Sequence, residues 1–267
     1  MKGITIRTFG YHDMFSVGSG GLENLTVLEV NGKTIVIEAP AHITATLPRM
    51  KTLRSESELT HVDALIITHV DADHIAGFDS LIWHKVFGEN SKLLLITHPE
   101  IAKQLWQRVR TAFETDRIDM KTKRQLEDYV KLIELELGKT TKIEELGIEI
   151  ETFKRSTKHA PFLSIAFCIL RNGVPVLAYS GDTSFDLELI EFLAKKGEYP
   201  IIHEAGSYAV GSQSHTHFNE LLTLPVEIQK RLYLNHIPIT LEENILQRIK
   251  ETNSPICIAS ELNNVII

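Results

Sequence analysis

The sequence has few cysteines, no long apolar run and no excess of basic charge. Its two cysteines, Cys168 and Cys257, each lie in an apolar stretch. That number is too small for a disulfide framework and favours buried free thiols in a reducing cytoplasm. The longest uncharged apolar run covers the 11 residues 160–170, too few to cross a bilayer. Because the N-terminal segment also lacks the apolar stretch of a signal peptide, we expect a cytoplasmic protein without a membrane span.

Acidic residues outnumber basic ones. The 267 residues include 28 Lys and Arg against 35 Asp and Glu, which gives a formal net charge of −7. Proteins that hold long nucleic acid usually present a basic face, so the charge disfavours long nucleic acid as a partner. A small anionic substrate held by a few local groups is compatible with it.

Short β-type segments alternate with helical ones along the chain. Asn31-Gly32 and Asn172-Gly173 each separate two segments of β pattern, which predicts two hairpins. Residues 62–68 form a nearly unbroken apolar run, as expected for a strand buried on both faces. Apolar residues three and four apart predict helices over 100–115 and 121–137.

This alternation predicts an α/β fold in which two mixed sheets are covered by helices. The chain contains no Pro- or Ser-rich linker and no short repeat. We therefore expect a single domain over residues 1–267, with a helical insertion at about 100–138.

Side chains of metal-binding type cluster directly after the apolar run at 62–68. His69, Asp71, Asp73 and His74 fall within six residues. In an extended turn His69 and Asp71 point the same way, whereas Asp73 and His74, entering a helix, can reach a second position. A mixed imidazole and carboxylate set at this density suits a pair of divalent cations. The alternative is a solvated loop in which Asp73 caps the helix.

Three more residues of ligand type follow strand-like segments, namely His159, Asp182 and His236. In layered α/β folds, ligand sites gather at strand ends. Each residue alone would more often be an ordinary surface residue. Their order along the chain after the first cluster favours one common metal centre.

The order and local sequence of these residues resemble the metallo-β-lactamase superfamily of αββα metallohydrolases, along nearly the whole chain. The family pattern is His-x-His-x-Asp-His, followed by a His, a bridging Asp and a last His. The resemblance implies one metal held by His69, Asp71 and His159, a second held by Asp73, His74 and His236, and Asp182 bridging them.

One position departs from the family pattern, because Asp71 stands where the family usually has a His. A carboxylate there makes the first site harder and more anionic, so manganese or iron competes better with zinc. We expect two divalent metal ions, zinc or manganese, with iron as an alternative.

Within the superfamily, the local sequence is most similar to the tRNase Z-like phosphodiesterase branch. Residues 201–205 resemble its His-Glu-Ala-Thr segment, and residues 214–217 resemble its His-Ser-Thr segment. The resemblance implies a proton relay of Glu204 and His215, with His217 as the alternative donor. Together with the metal ligand Asp73, Glu204 and His215 are the expected catalytic residues.

The segment between His159 and Asp182 bears on the substrate. tRNase Z enzymes carry a long basic arm at this place, but here only 22 residues intervene and they predict a simple hairpin. This armless arrangement resembles small cyclic-nucleotide phosphodiesterases, including those that counter cyclic-pyrimidine signalling. We therefore expect metal-dependent hydrolysis of a cyclic nucleotide or a related small cyclic phosphate, with a metal-bound hydroxide as nucleophile.

Three other functions are compatible with the same pattern. They are RNA 3′-processing or nuclease activity, hydrolysis of a carbon ester or lactone on the same metals, and a non-catalytic binding role. The resemblance also implies a possible homodimer, since members of the family often form one.

Overall fold

The computed structural model describes residues 4–46, 62–115, 120–159, 161–195 and 197–266. In these residues the chain forms two seven-stranded sheets. The strands of the first sheet are β1 (Thr5–Gly10), β2 (Leu25–Val30), β3 (Lys33–Ile37), β4 (Ala64–Ile66), β5 (Leu93–Thr97), β6 (Val130–Glu134) and β14 (Asn263–Ile266). Their order is β14-β1-β2-β3-β4-β5-β6, and β3 to β6 run parallel.

The second sheet repeats this plan, with an antiparallel half followed by a parallel half. Its strands are β7 (Thr140–Ile143), β8 (Ile148–Thr152), β9 (Phe167–Arg171), β10 (Val174–Tyr179), β11 (Ile201–Glu204), β12 (Leu232–Asn235) and β13 (Cys257–Ile258). Their order is β13-β12-β11-β10-β9-β8-β7, and β10 to β13 run parallel. Both sheets are therefore mixed, as the sequence predicts.

Helices connect the parallel strands. They are α1 (Ile43–Thr46), α2 (Ala72–Ile75), α3 (Phe78–Trp83), α4 (Pro99–Phe113), α5 (Leu126–Tyr129), α6 (Leu187–Leu193), α7 (Phe218–Leu221), α8 (Val226–Gln229) and α9 (Ile239–Thr252). A 3-10 turn covers Met14–Ser19, another covers Ala259–Glu261, and a π turn at His84–Gly88 extends α3. In the described part of the chain, no helix combines the length and apolarity that a membrane span needs.

The two faces of each buried strand enter different parts of the core. On β9, Phe167 and Ile169 pack between the two sheets, whereas Cys168 and Leu170 pack under the helices that cover the second sheet. The ring of Phe167 stacks on that of Tyr179 at 5.6 Å. Because strand side chains alternate between faces, one strand contributes to both layers. The predicted α/β sandwich of two mixed sheets covered by helices is confirmed.

Both predicted hairpins are present. Asn31-Gly32 joins β2 to β3, and Asn172-Gly173 joins β9 to β10. Each pair has positive φ at both positions, 53° and 77° in the first turn and 52° and 75° in the second. Asn and Gly adopt this conformation most readily, so the sequence could specify these turns locally.

The predicted helix over residues 121–137 is wrong. Only Leu126–Tyr129 is helical, and Val130–Glu134 forms β6, which pairs in parallel with β5 along the edge of the first sheet. The apolar residues of this segment fit both a helical and an extended pattern, and the open edge of β5 selects the strand. The predicted helical insertion at about 100–138 is thus helical only over α4 and α5, and its residues 116–119 lie outside the described residues.

Truncating Phe167 tests the packing between the sheets. Phe167 is fully buried, so Phe167→Ala should lower the free energy of unfolding by about 3–5 kcal/mol, because it leaves a cavity that the sheets cannot close. Denaturant unfolding measures the change. Val174→Ala, at a position 62% exposed, should change it by less than about 0.5 kcal/mol. Equal effects of the two substitutions would contradict the assigned core.

Candidate metal centre

The C-terminal ends of parallel strands from both sheets meet at one edge of the sandwich. Strand ends are where side chains from different strands can converge without breaking a sheet. The residues that follow strand ends at this edge are Glu38 after β3, His69 to His74 after β4, Asp182 after β10, Glu204 at the end of β11, and His236 after β12.

Three residues at this edge have left-handed backbone: Glu38 with φ of 68°, Gly181, directly before Asp182, with φ of 58°, and His236 with φ of 53°. At Gly181 a Cβ atom would lie 2.8 Å from the carbonyl oxygen of Ile165 and 3.4 Å from Cβ of Thr68. Glycine therefore lets the turn after β10 approach the end of β4. Glu38 and His236 adopt the same region at a cost in backbone strain, which proteins retain mainly at functional sites.

The carboxylate of Asp182 lies at the middle of the cluster. Its Oδ2 atom is 3.6 Å from Nε2 of His69, 3.5 Å from Nε2 of His74 and 3.3 Å from Nε2 of His236. Asp182 and all three histidines are buried. One oxygen thus faces imidazoles from both sheets.

Two further carboxylates flank Asp182, one on each side. Oδ2 of Asp71 lies 3.0 Å from Nε2 of His159 and 3.8 Å from Nε2 of His69. Oδ2 of Asp73 lies 2.9 Å from Nε2 of His236 and 3.6 Å from Nε2 of His74. The structure thus brings all seven predicted ligands together, in the two groups His69, Asp71, His159 and Asp73, His74, His236, with Asp182 between them.

The donor atoms fit a divalent metal. In the described part of the chain, the buried Nε2 atoms of His69 and His74 have no hydrogen-bond partner. Ligand atoms of His69, His159 and Asp182 all lie within 4.8 Å of one another, as do those of Asp73, His74 and His236. Imidazole and carboxylate are the ligands that divalent transition metals take in proteins. The cluster can therefore hold divalent metal ions.

The charges in the cluster are strongly coupled. Burial, reinforced by the neighbouring His74, lowers the pKa of His69 to about 3. Burial opposes protonation of His236 too, but Asp182 and Asp73 outweigh it and raise the pKa of His236 to about 10. The pKa of Asp182 is held well below its usual range, because the surrounding imidazoles outweigh its burial. A divalent cation can thus replace imidazole protons as the counter-charge of carboxylates that are already ionised.

Glu38 is a residue of the site that sequence reasoning missed. It is fully buried, and its Oε1 atom accepts a hydrogen bond of 2.5 Å from the hydroxyl of Thr68 and lies 3.3 Å from Nδ1 of His74. With its proton directed at Glu38, the Thr68 hydroxyl accepts from Nδ1 of His69 at 2.9 Å. Both rings are thereby oriented with Nε2 towards Asp182. The sequence contains one sign of this role, a single acidic residue directly after the apolar strand β3.

Glu204 connects three loops at the rim of the cluster. Its carboxylate accepts backbone N–H groups of Thr183 at 3.0 Å, Thr216 at 2.9 Å and Gly206 at 2.7 Å. Oε1 also lies 3.3 Å from Nδ1 of His215. Because three backbone donors fix the carboxylate, it offers His215 a rigid acceptor.

The structure distinguishes the two candidate proton donors. The ring of His215 stacks on that of His236, with centroids 5.1 Å apart, and its side chain is 26% exposed. Because Nδ1 of His215 faces Glu204, its Nε2 atom lies on the side of the ring away from that carboxylate. His217 instead caps α7, where its Nδ1 accepts the N–H of Asn219 at 3.1 Å. Of the two, only His215 has its ring beside Glu204.

Sequence comparison relates the chain to one protein family. The family described as Anti-Pycsar protein Apyc1 matches residues 5–253. An Anti-Pycsar protein Apyc1 from Paenibacillus harenae is 27% identical over 221 residues, which are 82% of this chain and 85% of the relative.

Solved structures show the fold. The metallo-β-lactamase fold protein YhfI from Bacillus subtilis superposes with a TM-score of 0.68 at 17% identity, over 93% of this chain and 92% of that chain. Unliganded yeast PDE1 superposes with a TM-score of 0.69 at 14% identity, over the full length of both chains. The predicted metallo-β-lactamase fold is confirmed.

Replacing Glu38 tests its contact with the histidines. Glu38→Gln should weaken the affinity for Zn²⁺ or Mn²⁺ by about 10- to 100-fold, because residues that orient metal-binding imidazoles have effects of this size. Competition with a chromophoric chelator measures the affinity, and circular dichroism checks the fold. Glu198→Gln, at an exposed position, is the matched control. Unchanged metal affinity in a folded Glu38→Gln protein would contradict the orienting role.

Proposed function

The chain belongs to the Anti-Pycsar protein Apyc1 family, and we propose that it hydrolyses a phosphodiester bond of a cyclic nucleotide. Family and fold make it a metallohydrolase, and Anti-Pycsar proteins degrade cyclic nucleotides. The observation that carries the proposal for this chain is the position of His215 beside Asp182, His236 and the other residues of the metal-binding cluster. Such a cluster can hold metal ions, which would activate water for attack on phosphorus. The His215 imidazole would protonate the leaving oxygen.

The proposed metal ligands follow the two groups of the cluster. His69, Asp71 and His159 would hold one divalent ion, Asp73, His74 and His236 the other, and Asp182 would bridge them. Two such ions supply an activated water nucleophile and stabilise charge on the phosphoryl oxygens. The Asp71 carboxylate in the first group supports manganese or iron beside zinc.

Glu204 and His215 would complete the reaction. Hydrolysis of a cyclic diester adds water across one P–O bond, and the departing sugar alkoxide needs a proton. We assign that proton to Nε2 of His215, whose Nδ1 atom lies 3.3 Å from the Glu204 carboxylate. Because Glu204 is fixed by three backbone donors, the imidazole has one favoured orientation for the transfer.

The segment before Asp182 supports a small substrate. Among the described residues that separate His159 from Asp182, 167–179 form the β9–β10 hairpin, which leaves little chain for an arm that grips RNA. The net charge of −7 also disfavours a polyanionic RNA. The proposed substrate is therefore a cyclic mononucleotide or a related small cyclic phosphate.

The proposal also includes a cytoplasmic location and a homodimer. Cys168 is buried and Cys257 is partly buried, neither forms a disulfide, and burial raises the pKa of Cys168 to about 12. The absence of a disulfide between these two residues is compatible with a reducing cytoplasm. The homodimer in this proposal rests on the resemblance to the metallo-β-lactamase superfamily alone.

Removing the metals tests the proposed chemistry. Protein purified with added Mn²⁺ or Zn²⁺ should hydrolyse a 3′,5′-cyclic nucleotide, and a chelator should abolish the reaction. Asp182→Asn should abolish it even with added metal, because the shared carboxylate loses its charge, whereas the exposed Glu191→Gln control should keep it. Product formation is followed by chromatography. Full activity in chelator or in Asp182→Asn would exclude the metal-dependent mechanism.

Two substrates with different leaving groups test His215. His215→Ala should lower kcat on a cyclic nucleotide by about 100- to 10,000-fold, because a sugar alkoxide needs the proton. On bis(4-nitrophenyl) phosphate, whose leaving group is already stable, the loss should be much smaller.

His217→Ala is the matched control for this experiment. It should retain activity on both substrates and lose about 1 kcal/mol of stability, because it removes a helix cap. Equal losses on the two substrates in His215→Ala would remove this residue from the proton-donor role.

A further inference from the structure

Phe15 is an exposed aromatic residue in the 3-10 turn whose neighbouring residues contact the segment that follows His236. The turn Met14–Ser19 is fixed to the residues that follow His236. The hydroxyl of Ser16 accepts the N–H of Ile239 at 2.7 Å, and the N–H of Asp13 donates to the carbonyl of Ile237 at 3.3 Å. The Phe15 side chain is nevertheless 82% exposed.

Tyr208, in a different loop, also contacts the segment that follows His236. Its loop begins at Gly206, where a Cβ atom would lie only 2.8 Å from Nδ1 of His236. The hydroxyl of Tyr208 is hydrogen-bonded to the hydroxyl of Thr240 at 2.7 Å, yet Tyr208 is 64% exposed. A ring fixed at its hydroxyl and otherwise exposed loses little entropy when it binds a flat partner.

Phe15 and Tyr208, the aromatic pair, therefore belong to two segments that are both bonded to the start of α9. Ser16, the neighbour of Phe15, is bonded to Ile239, and Tyr208 itself is bonded to Thr240, three and four residues after His236. Other apolar side chains exposed on the same two segments are Met14, Val17 and Val210. Exposed apolar patches of this kind mark binding sites more often than chance.

The proposed substrate supplies an apolar group of suitable shape. In a cyclic nucleotide the phosphodiester is joined to a flat base through a single sugar ring. A phosphate at the metal centre would therefore keep its base within one sugar ring of the centre. Aromatic side chains stack on nucleobases, whereas the imidazoles and carboxylates of the centre are directed at one another.

We propose that Phe15 and Tyr208 bind the nucleobase of the substrate. This inference rests on the proposed function and adds a base-binding surface to it. The pair would contribute to substrate binding and not to bond cleavage, since neither ring belongs to the metal cluster or the Glu204–His215 pair.

Comparing a cyclic nucleotide with a base-free analogue tests the proposal. KM and kcat are measured for 3′,5′-cyclic UMP and for ribose 3,5-cyclic phosphate, which lacks the base. Phe15→Ala and Tyr208→Ala should each raise KM for cyclic UMP by about tenfold, the scale of one lost base–aromatic contact. Neither substitution should change kcat on either substrate by more than about twofold. The KM for the base-free analogue should stay within the same limit.

Two variants serve as controls. Tyr208→Phe keeps the ring and loses only the hydrogen bond to Thr240, so it should keep most of the affinity. Phe87→Ala removes another exposed aromatic ring, 54% exposed and stacked on Trp83 beyond α3, and should leave both substrates unaffected. Thermal unfolding establishes that each variant is folded.

The outcomes separate this proposal from the proposed function. Unchanged KM for cyclic UMP in folded Phe15→Ala and Tyr208→Ala proteins would overturn the base-binding role while the proposed function stands. Equal losses on the two substrates would overturn it as well, because they would indicate damage to the centre. Conversion of a dimer to a monomer by Phe15→Ala, seen by light scattering, would assign the surface to a second copy of the chain. Failure of the parent protein to cleave any 3′,5′-cyclic nucleotide or ribose 3,5-cyclic phosphate, while it cleaves bis(4-nitrophenyl) phosphate, would overturn both proposals.

Discussion

The candidate metal centre depends on one shared carboxylate oxygen. Oδ2 of Asp182 lies within 3.6 Å of Nε2 atoms that belong to the ends of both sheets. Asp182 follows β10 of the second sheet, whereas His69 and His74 follow β4 of the first. The contact is possible because Gly181 lets the two strand ends approach each other. The fold of two packed sheets and the chemistry of the site therefore meet in a single side chain.

Such a concentration of buried charge needs support from its surroundings. A buried ionised group is costly unless it is paired and hydrogen-bonded. Glu38 and Thr68 provide that support for the imidazoles after β4, and three backbone amides provide it for Glu204. The positive φ of Glu38 and His236 adds backbone strain at the same edge. The surrounding core holds these residues in a geometry that local preference alone would not select.

The proposed roles of the residues around the metal centre differ with their solvent exposure. The side chains that would hold metal are buried, except for the partly exposed Asp71. His215 is 26% exposed and lies 3.3 Å from Glu204, and the aromatic pair, Phe15 and Tyr208, is mostly exposed. Metal binding would thus involve buried residues, whereas proton transfer and base binding would involve more exposed ones. In this arrangement, only the outer residues meet the variable part of a substrate.

The sequence by itself determined the layered α/β fold, the two Asn-Gly hairpins and the seven residues of the cluster. The hairpins and the alternation of strands and helices depend on local patterns, since turn chemistry and strand periodicity are local. The ligand set as a whole followed from the order of its residues along the chain and from the resemblance to the metallo-β-lactamase superfamily. The tertiary structure alone decided the rest. It made Val130–Glu134 a strand because β5 had an open edge, placed Glu38 behind His74, and set His215, not His217, beside Glu204. Each of these outcomes depends on a partner distant in sequence, or on which of two nearby residues faces that partner, and local pattern carries no information about either.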